Sequence, residues 1–323
     1  MKKIGLILLF AVICTNSFAQ VQWLNIDSLY EPLPSSMHVF SSTDPVEGKP
    51  NRMYYAIADL KEKDLVFTAD TTMNRRLTPS GFYEKNDQPL LVVNTSFFSF
   101  DTHQNFNVVI SQGKLLSYNQ HSIAGRKKDT LTYSHPFFSA LGIAPAGKAD
   151  VAWILSDTAL SYPLASQVPV PAFRDSLADP SWQYLQKKAA MKKRNFSKWN
   201  VQTAVGGGPV LVQDGKVFIA NNEERKFAGK AIDDRHPRTA MGYTRDGKLI
   251  VFVCEGRSEQ AAGLSLKAMA GILQQLGCVE ALNLDGGGSS CMLINGKQTN
   301  VTSAKGIQRQ VPSVFLIKRR STE

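Results

Sequence analysis

One local device recurs along this chain and constrains its fold more than any other feature. An apolar, β-prone stretch meets a short turn ending in Gly-Lys, and a second β-prone stretch follows. The device appears over residues 109–117, 142–154, 210–219, 241–253 and 292–300. Its turn pairs are Gln112-Gly113, Ala146-Gly147, Asp214-Gly215, Asp246-Gly247 and Asn295-Gly296. Asp-Gly and Asn-Gly accept the positive φ angles of a two-residue hairpin turn. Chains punctuated this way build sheets from antiparallel neighbours. The irregular spacing argues against tandem repeats.

One segment breaks the rhythm. Residues 248–254 and 279–284 read as apolar strands, and between them Leu266, Met269, Ala270, Leu273 and Leu276 recur at helical spacing. Ser265 suits the N-cap, Leu264 and Met269 the hydrophobic staple, and Gly277 the C-terminal stop. Strand, helix and strand of these lengths predict a right-handed crossover joining parallel strands. The expected fold is therefore α+β, a mixed, largely antiparallel sheet with several Gly-Lys hairpins and one βαβ crossover near the C-terminus.

The first nineteen residues read as an export leader. Lys2 and Lys3 precede an apolar run over 4–14, and Ser17-Phe18-Ala19 forms a small-x-small cleavage site. That run is shorter than the ~20 apolar residues of a membrane-spanning helix. Cys14 raises a lipoprotein alternative, but Ala11-Val12-Ile13 is a poor lipobox. The expected location is periplasmic or secreted, with no membrane span. Residues 20–323 are expected to form one domain, since no linker-like composition divides them. A helical insertion is expected at 156–200, where Pro163, Pro169, Pro171 and Pro180 precede a basic stretch at 182–194.

Cys254, Cys278 and Cys291 would remain after cleavage, enough for at most one disulfide. Neither their spacing nor the five histidines suggest zinc. The formal net charge of +10 favours anionic partners. Its densest block, Lys187, Lys188, Lys192, Lys193 and Arg194, comes without an RRM, KH or helix-turn-helix pattern, so nucleic acid is not the expected partner.

The crossover has a geometric consequence. Parallel strands end on one sheet edge, so the loops after Cys254 and Leu284 open together. These begin Glu255-Gly256-Arg257 and Asp285-Gly286-Gly287-Gly288-Ser289-Ser290. With Asp246-Gly247 as a two-residue turn, Arg238 faces Glu255 and His236 lies near Arg257, and a bulge would shift this register by one. Arg235-His236-Pro237-Arg238-Thr239 then stands beside both loops. Gly206-Gly207-Gly208-Pro209 and Asn94 are further candidates for the same edge. Taken singly, each motif also has a plain structural reading: a tight glycine turn, a cross-strand ion pair between Arg238 and Glu255, or a histidine that closes a loop.

Together and in this order, the motifs resemble the phosphodiester glycosidase family. The matching stretches are Asn94-Thr95-Ser96-Phe97-Phe98, Gly206-Gly207-Gly208-Pro209 with Asp214-Gly215-Lys216, and Arg235-His236-Pro237-Arg238-Thr239-Ala240. Glu255-Gly256-Arg257, Gly263-Leu264-Ser265-Leu266 and Asn283-Leu284-Asp285 with the glycine triplet complete the set. Two departures stand out. Thr95-Ser96 replaces a pair of glycines, and Glu255 stands where the family usually has aspartate.

The resemblance implies hydrolysis of the bond between a sugar anomeric carbon and a phosphodiester, through an oxocarbenium-like state. The substrate would be a sugar-phosphate diester or phosphate-containing glycan, with α-N-acetylglucosamine-1-phosphodiester one such compound. A leaving phosphate monoester, with a second pKa of ~6, needs charge stabilisation more than a strong acid. Arg238 and Arg257 are expected on the phosphate, with the amides of Gly286, Gly287 and Gly288 as a supporting nest. Asp285 would act as nucleophile or water-activating base, Glu255 as partner acid or base, and His236 would protonate or orient the phosphate. Arg235, Thr239, Ser289, Asn94, Gly207 and Gly208 complete the expected binding set.

No organic cofactor is called for. Calcium or magnesium enters only under a rival reading, a metal-dependent phosphodiesterase with Asp285 and Glu255 as oxygen ligands. A second rival is a non-catalytic, exported glycan-binding or exopolysaccharide-associated protein.

Overall fold

A computed structural model describes residues 20–125 and 129–320. The leader expected at 1–19 lies outside the described residues. The strands of the described residues form an eight-stranded, a seven-stranded, a five-stranded and a three-stranded sheet, and every strand pair within them is antiparallel.

Three of the five glycine turns hold both central residues at positive φ. These are Gln112-Gly113 (51° and 74°), Asp214-Gly215 (52° and 72°) and Asn295-Gly296 (47° and 76°). The other two are longer. Ala144 and Lys148 close a loop with Gly147 at its end, and Thr244 and Lys248 flank Arg245-Asp246-Gly247. In the second case a three-residue turn moves the register by one. Arg238 pairs with Cys254 and Thr239 with Val253, so Arg238 does not face Glu255.

The crossover is also built differently from the simplest expectation. Strand Arg238–Thr244 lies between Lys248–Cys254 and Cys278–Asn283 and is antiparallel to both. The two outer strands therefore run in one direction but do not pair. Helix Leu266–Gln275 connects them, capped by the Ser265 hydroxyl accepting from Ala268 N at 3.0 Å, and Gly277 stops it at φ 84°. Leu266, Met269 and Leu273 are fully buried against the eight-stranded sheet. Each such side chain contributes roughly 2 kcal/mol of burial.

The largest of four core clusters among the described residues joins the three large sheets. It holds Met241, Val251 and Leu282 from the eight-stranded sheet, Leu141, Trp153 and Val205 from the seven-stranded sheet, and Leu91, Val93, Phe315 and Ile317 from the five-stranded sheet. Segment 156–200 joins this framework. Its strand Leu164–Ser166 pairs with Ala149–Leu155, and its helix Trp182–Met191 buries Leu185 and Ala189 in the same core. Cys254, Cys278 and Cys291 are free and buried, and burial pushes each thiol up to about 12. Among the described residues no helix is long and apolar enough to cross a membrane.

Where the seven- and eight-stranded sheets meet, the chain threads through Gly206-Gly207-Gly208. A Cβ on Gly207 would sit 2.3 Å from the Asn283 carbonyl oxygen, a backbone atom that cannot give way. Gly215, by contrast, has nothing within 4 Å of its would-be Cβ. Gly207→Ala is therefore expected to cost about 3 kcal/mol through forced displacement. Gly215→Ala should cost only about 1 kcal/mol, for its left-handed backbone. Urea unfolding of the two variants would measure both, and equal costs would contradict this account of the Gly207 crossing.

Candidate active site

Asp285 follows directly on the Cys278–Asn283 strand and Leu284, and its backbone is pinned on both sides. Its N–H donates to Thr95 O at 2.8 Å, and its own carbonyl accepts from Asn94 Nδ2 at 2.6 Å. Asn94 is fully buried, and its Oδ1 accepts from Thr239 Oγ1 (3.0 Å) and Cys291 N (3.1 Å). The asparagine at the end of strand Leu91–Asn94 thus ties the five-stranded sheet to the loop that carries the carboxylate.

The Asp285 carboxyl is pushed up to about 6 by burial, opposed by the Ser289 hydroxyl and by the cations of Arg309 and Lys226. A group held there changes charge near neutral pH, a common property of catalytic acids and bases. Lys226 is itself pushed down to about 7 by burial, against the pull of Glu224 and Asp285. Its ammonium lies 3.8 Å from the Phe97 ring centre and 4.1 Å from that of Phe138. Two aromatic faces hold the cation while leaving it poorly hydrated.

The glycine turn beyond Asp285 is flanked by two guanidinium groups. A Cβ on Gly287, at φ 60°, would stand 3.1 Å from Arg257 Nη2, and one on Gly288 would stand 2.2 Å from Arg309 Nη2. The missing side chains let both arginines lie against the backbone. Gly286 is constrained too, since its Cβ would meet Pro237 O at 2.8 Å. Arg257 has a left-handed backbone at φ 66°, and its Nη2 lies 3.2 Å from His236 Nδ1. Arginine can only donate, so His236 Nδ1 accepts and the ring proton sits on Nε2. Burial and the nearby Arg238 and Arg257 charges hold His236 below its ordinary pKa, in keeping with a neutral ring.

Other expected residues are committed elsewhere. Arg238 is buried, donates from Nε to Leu264 O (2.9 Å) and from Nη2 to Asp234 O (2.8 Å), and is pushed down to about 10 by burial. Arg235 is drawn toward Glu47 (2.5 Å) and the carbonyls of Val46 and Gly263. Glu255 accepts from Val301 N at 2.8 Å and from the Tyr54 hydroxyl at 3.4 Å, and burial raises its pKa. Gly207 and Gly208 accept at their carbonyls from Asn107 Nδ2 (3.1 Å) and Asn283 Nδ2 (2.9 Å). Asn283 Oδ1 is buried with no partner among the described residues.

Sequence reading missed Lys226, Arg309 and Glu224. The first two bring positive charge to Asp285. Glu224 is wholly buried beneath Gly208, where it accepts from Ser139, Trp153 and Val210. None of the three sits in a motif. Among the described residues no group of three or more His, Cys, Asp or Glu clusters as a metal ligand set. The cations around Asp285 suit an anion there better than a divalent metal.

Residues 175–318, somewhat under half of the chain, match the family model described as phosphodiester glycosidase. The resemblance of that segment to the family is a direct finding. The N-acetylglucosamine-1-phosphodiester alpha-N-acetylglucosaminidase of Mus musculus is 37% identical over 94 residues, 27% of this chain. The match spans only 18% of that protein's length, and the Homo sapiens enzyme matches at 34% over a segment of the same size. Among solved structures, the zebrafish N-acetylglucosamine-1-phosphodiester alpha-N-acetylglucosaminidase catalytic domain, auto-inhibited by its pro-peptide, shares the fold. Its TM-score is 0.56 at 18% identity, covering 90% of this chain and 86% of that one. A hypothetical protein from Synechocystis superposes with a TM-score of 0.63 at 14% identity, covering 93% of this chain and 68% of that one.

Proposed function

We propose that this protein is an exported hydrolase that cleaves the bond between a sugar anomeric carbon and the phosphate of a phosphodiester. The observation that carries the reading is the Asp285 carboxyl, raised to about 6 at a strand end, beside a glycine turn flanked by Arg257 and Arg309. An anionic diester fits the cations, and the nearby carboxylate serves the anomeric centre as nucleophile or as base toward water. Arg257 and Arg309 take the phosphate oxygens, and their fixed forks hold its orientation. His236 donates from Nε2 to orient the phosphate, because its Nδ1 already accepts from Arg257. Arg238 acts at one remove, holding the 234–238 and 263–264 backbone that presents His236. Glu255 is the second carboxyl, held by Tyr54 and Val301. The leader-like residues 1–19 support export. The single-domain reading of 20–323, with 156–200 as an insertion, remains part of this proposal.

Purified protein incubated with a panel of α-linked sugar-1-phosphate diesters should release free sugar, and it should do so equally after EDTA treatment. Loss with EDTA would instead favour the metal-dependent phosphodiesterase. Binding without release would favour a glycan-binding module.

The pH profile of this activity follows from the site. Asp285 must be ionised to attack or to activate water, so kcat/KM should rise as pH climbs through about 6. Lys226 must be protonated to stabilise the anion, so the rate should fall as pH passes about 7. The expected profile is a narrow bell, and Lys226→Arg should carry its alkaline limb upward. A flat rate from pH 5 to 9 would contradict these roles.

A further inference from the structure

A cleft of about 720 Å³ adjoins the candidate site at Lys226 and Phe227. Its volume lies within the range of ordinary small-molecule pockets. Lys226 bridges the two spaces, since it lines the cleft while its charge acts on Asp285. Arg174 and Arg225 also line the cleft, and among the described lining residues Asp129 is the one carboxylate, already ion-paired with Arg174. The wall therefore carries an excess of positive charge. Ser134, on the same wall, has a buried hydroxyl with no hydrogen-bond partner among the described residues. The turn that positions Arg225 and Lys226 is rigidly clasped: Asn221 bonds both the N–H and the carbonyl of Phe227, each at 2.9 Å.

We infer that this cleft is the aglycone subsite, and that it selects leaving groups carrying negative charge beyond the scissile phosphodiester, such as a second phosphate. The inference rests on the proposed glycosidase reading, because only an anomeric centre at Asp285 makes the cleft the leaving-group side. The reaction it serves is balanced by water alone. The bond from the anomeric carbon to the phosphate oxygen breaks, the water oxygen joins the carbon, and the leaving phosphate keeps the bridging oxygen. A second phosphate in the cleft would meet Arg225 and Arg174 and offer an acceptor to the Ser134 hydroxyl, which has none among the described residues. Segment 156–200 supplies Arg174, and so contributes a wall of this cleft.

The test compares UDP-N-acetylglucosamine with the methyl diester of α-N-acetylglucosamine-1-phosphate, and measures inorganic pyrophosphate binding by calorimetry. Wild type, Arg225→Gln and Arg174→Gln are run in parallel, with melting temperatures to establish folding. The expected result is a kcat/KM preference of about tenfold or more for the diphosphate substrate, from one or two charge-assisted hydrogen bonds. Each arginine variant should shrink that preference and weaken pyrophosphate binding by about tenfold. Should both substrates turn over equally while pyrophosphate binding is the same in all three proteins, the subsite is overturned and the glycosidase reading survives. If neither substrate releases sugar yet pyrophosphate binding falls in the variants, the cleft remains an anion site and the glycosidase reading fails. Neither release nor pyrophosphate binding would overturn both.

Discussion

Asp285→Asn is expected to lower sugar release by about 10³-fold or more, the scale of removing a group that takes part directly in bond-breaking. The substitution keeps the shape of the side chain, and the backbone contacts to Thr95 and Asn94 do not involve it. The glycine turn, the two arginines and the Asn94 tether should all persist. Stability should be maintained or slightly raised, because a carboxyl pushed up to about 6 is one the fold holds at a cost. The pairing of near-complete loss of turnover with an unchanged or higher melting temperature separates a chemical role from a structural one. Turnover within a few-fold of wild type would remove Asp285 from the mechanism.

Glu224→Ala should have the opposite signature, a large loss of stability. Its carboxylate accepts from Val210 N (2.9 Å), Trp153 Nε1 (3.2 Å), Ser139 N (3.2 Å) and the Ser139 hydroxyl (3.0 Å to Oε2). Alanine would leave these buried donors unsatisfied, at ~1–3 kcal/mol for each that water cannot reach. A total of about 3–5 kcal/mol is expected, seen as a lower urea midpoint. The pH dependence has a defined sign. Burial raises the Glu224 pKa from 4.5 to about 7, so the folded state binds a proton that the unfolded chain releases. Stability from this group is fully present below 4.5 and is lost as pH rises through about 7. Glu224→Gln, which cannot ionise, should flatten the part of the stability decline that Glu224 contributes between those values.

The neighbourhood of the candidate loops was legible because strand ends and turns are local. The loops at Glu255 and Asp285 follow directly from the two apolar runs flanking the Ser265-capped helix. His236 reaches Arg257 even though the register is one residue away from that of a two-residue turn. That slip has a simple cause. Asp-Gly favours a two-residue turn, but Thr244 closes a three-residue one through its own hydroxyl, which accepts from Lys248 N at 3.1 Å.

Charge partners were not legible in the same way. Arg235 and Arg238 sit in the motif and look like phosphate ligands, yet several of their donors bind Gly263, Glu47, Val46, Leu264 and Asp234, contacts that only the folded chain reveals. Lys226 and Arg309 come from segments with no motif. Their effect on Asp285 arises from tertiary packing against Phe97, Phe138 and Phe100, and from the absence of a side chain at Gly288. Periodicity and spacing carry no trace of such relationships.

Under the proposed function, water attacks the anomeric carbon and not the phosphorus. Hydrolysis of an α-linked sugar-1-phosphate diester in ¹⁸O-labelled water, with mass spectrometry of the phosphate product, tests this directly. A phosphate monoester free of ¹⁸O is expected, because the carbon–oxygen bond breaks and phosphate keeps its own oxygens. Label in the phosphate would mean attack at phosphorus, and would contradict the glycosidase reading whatever the rate.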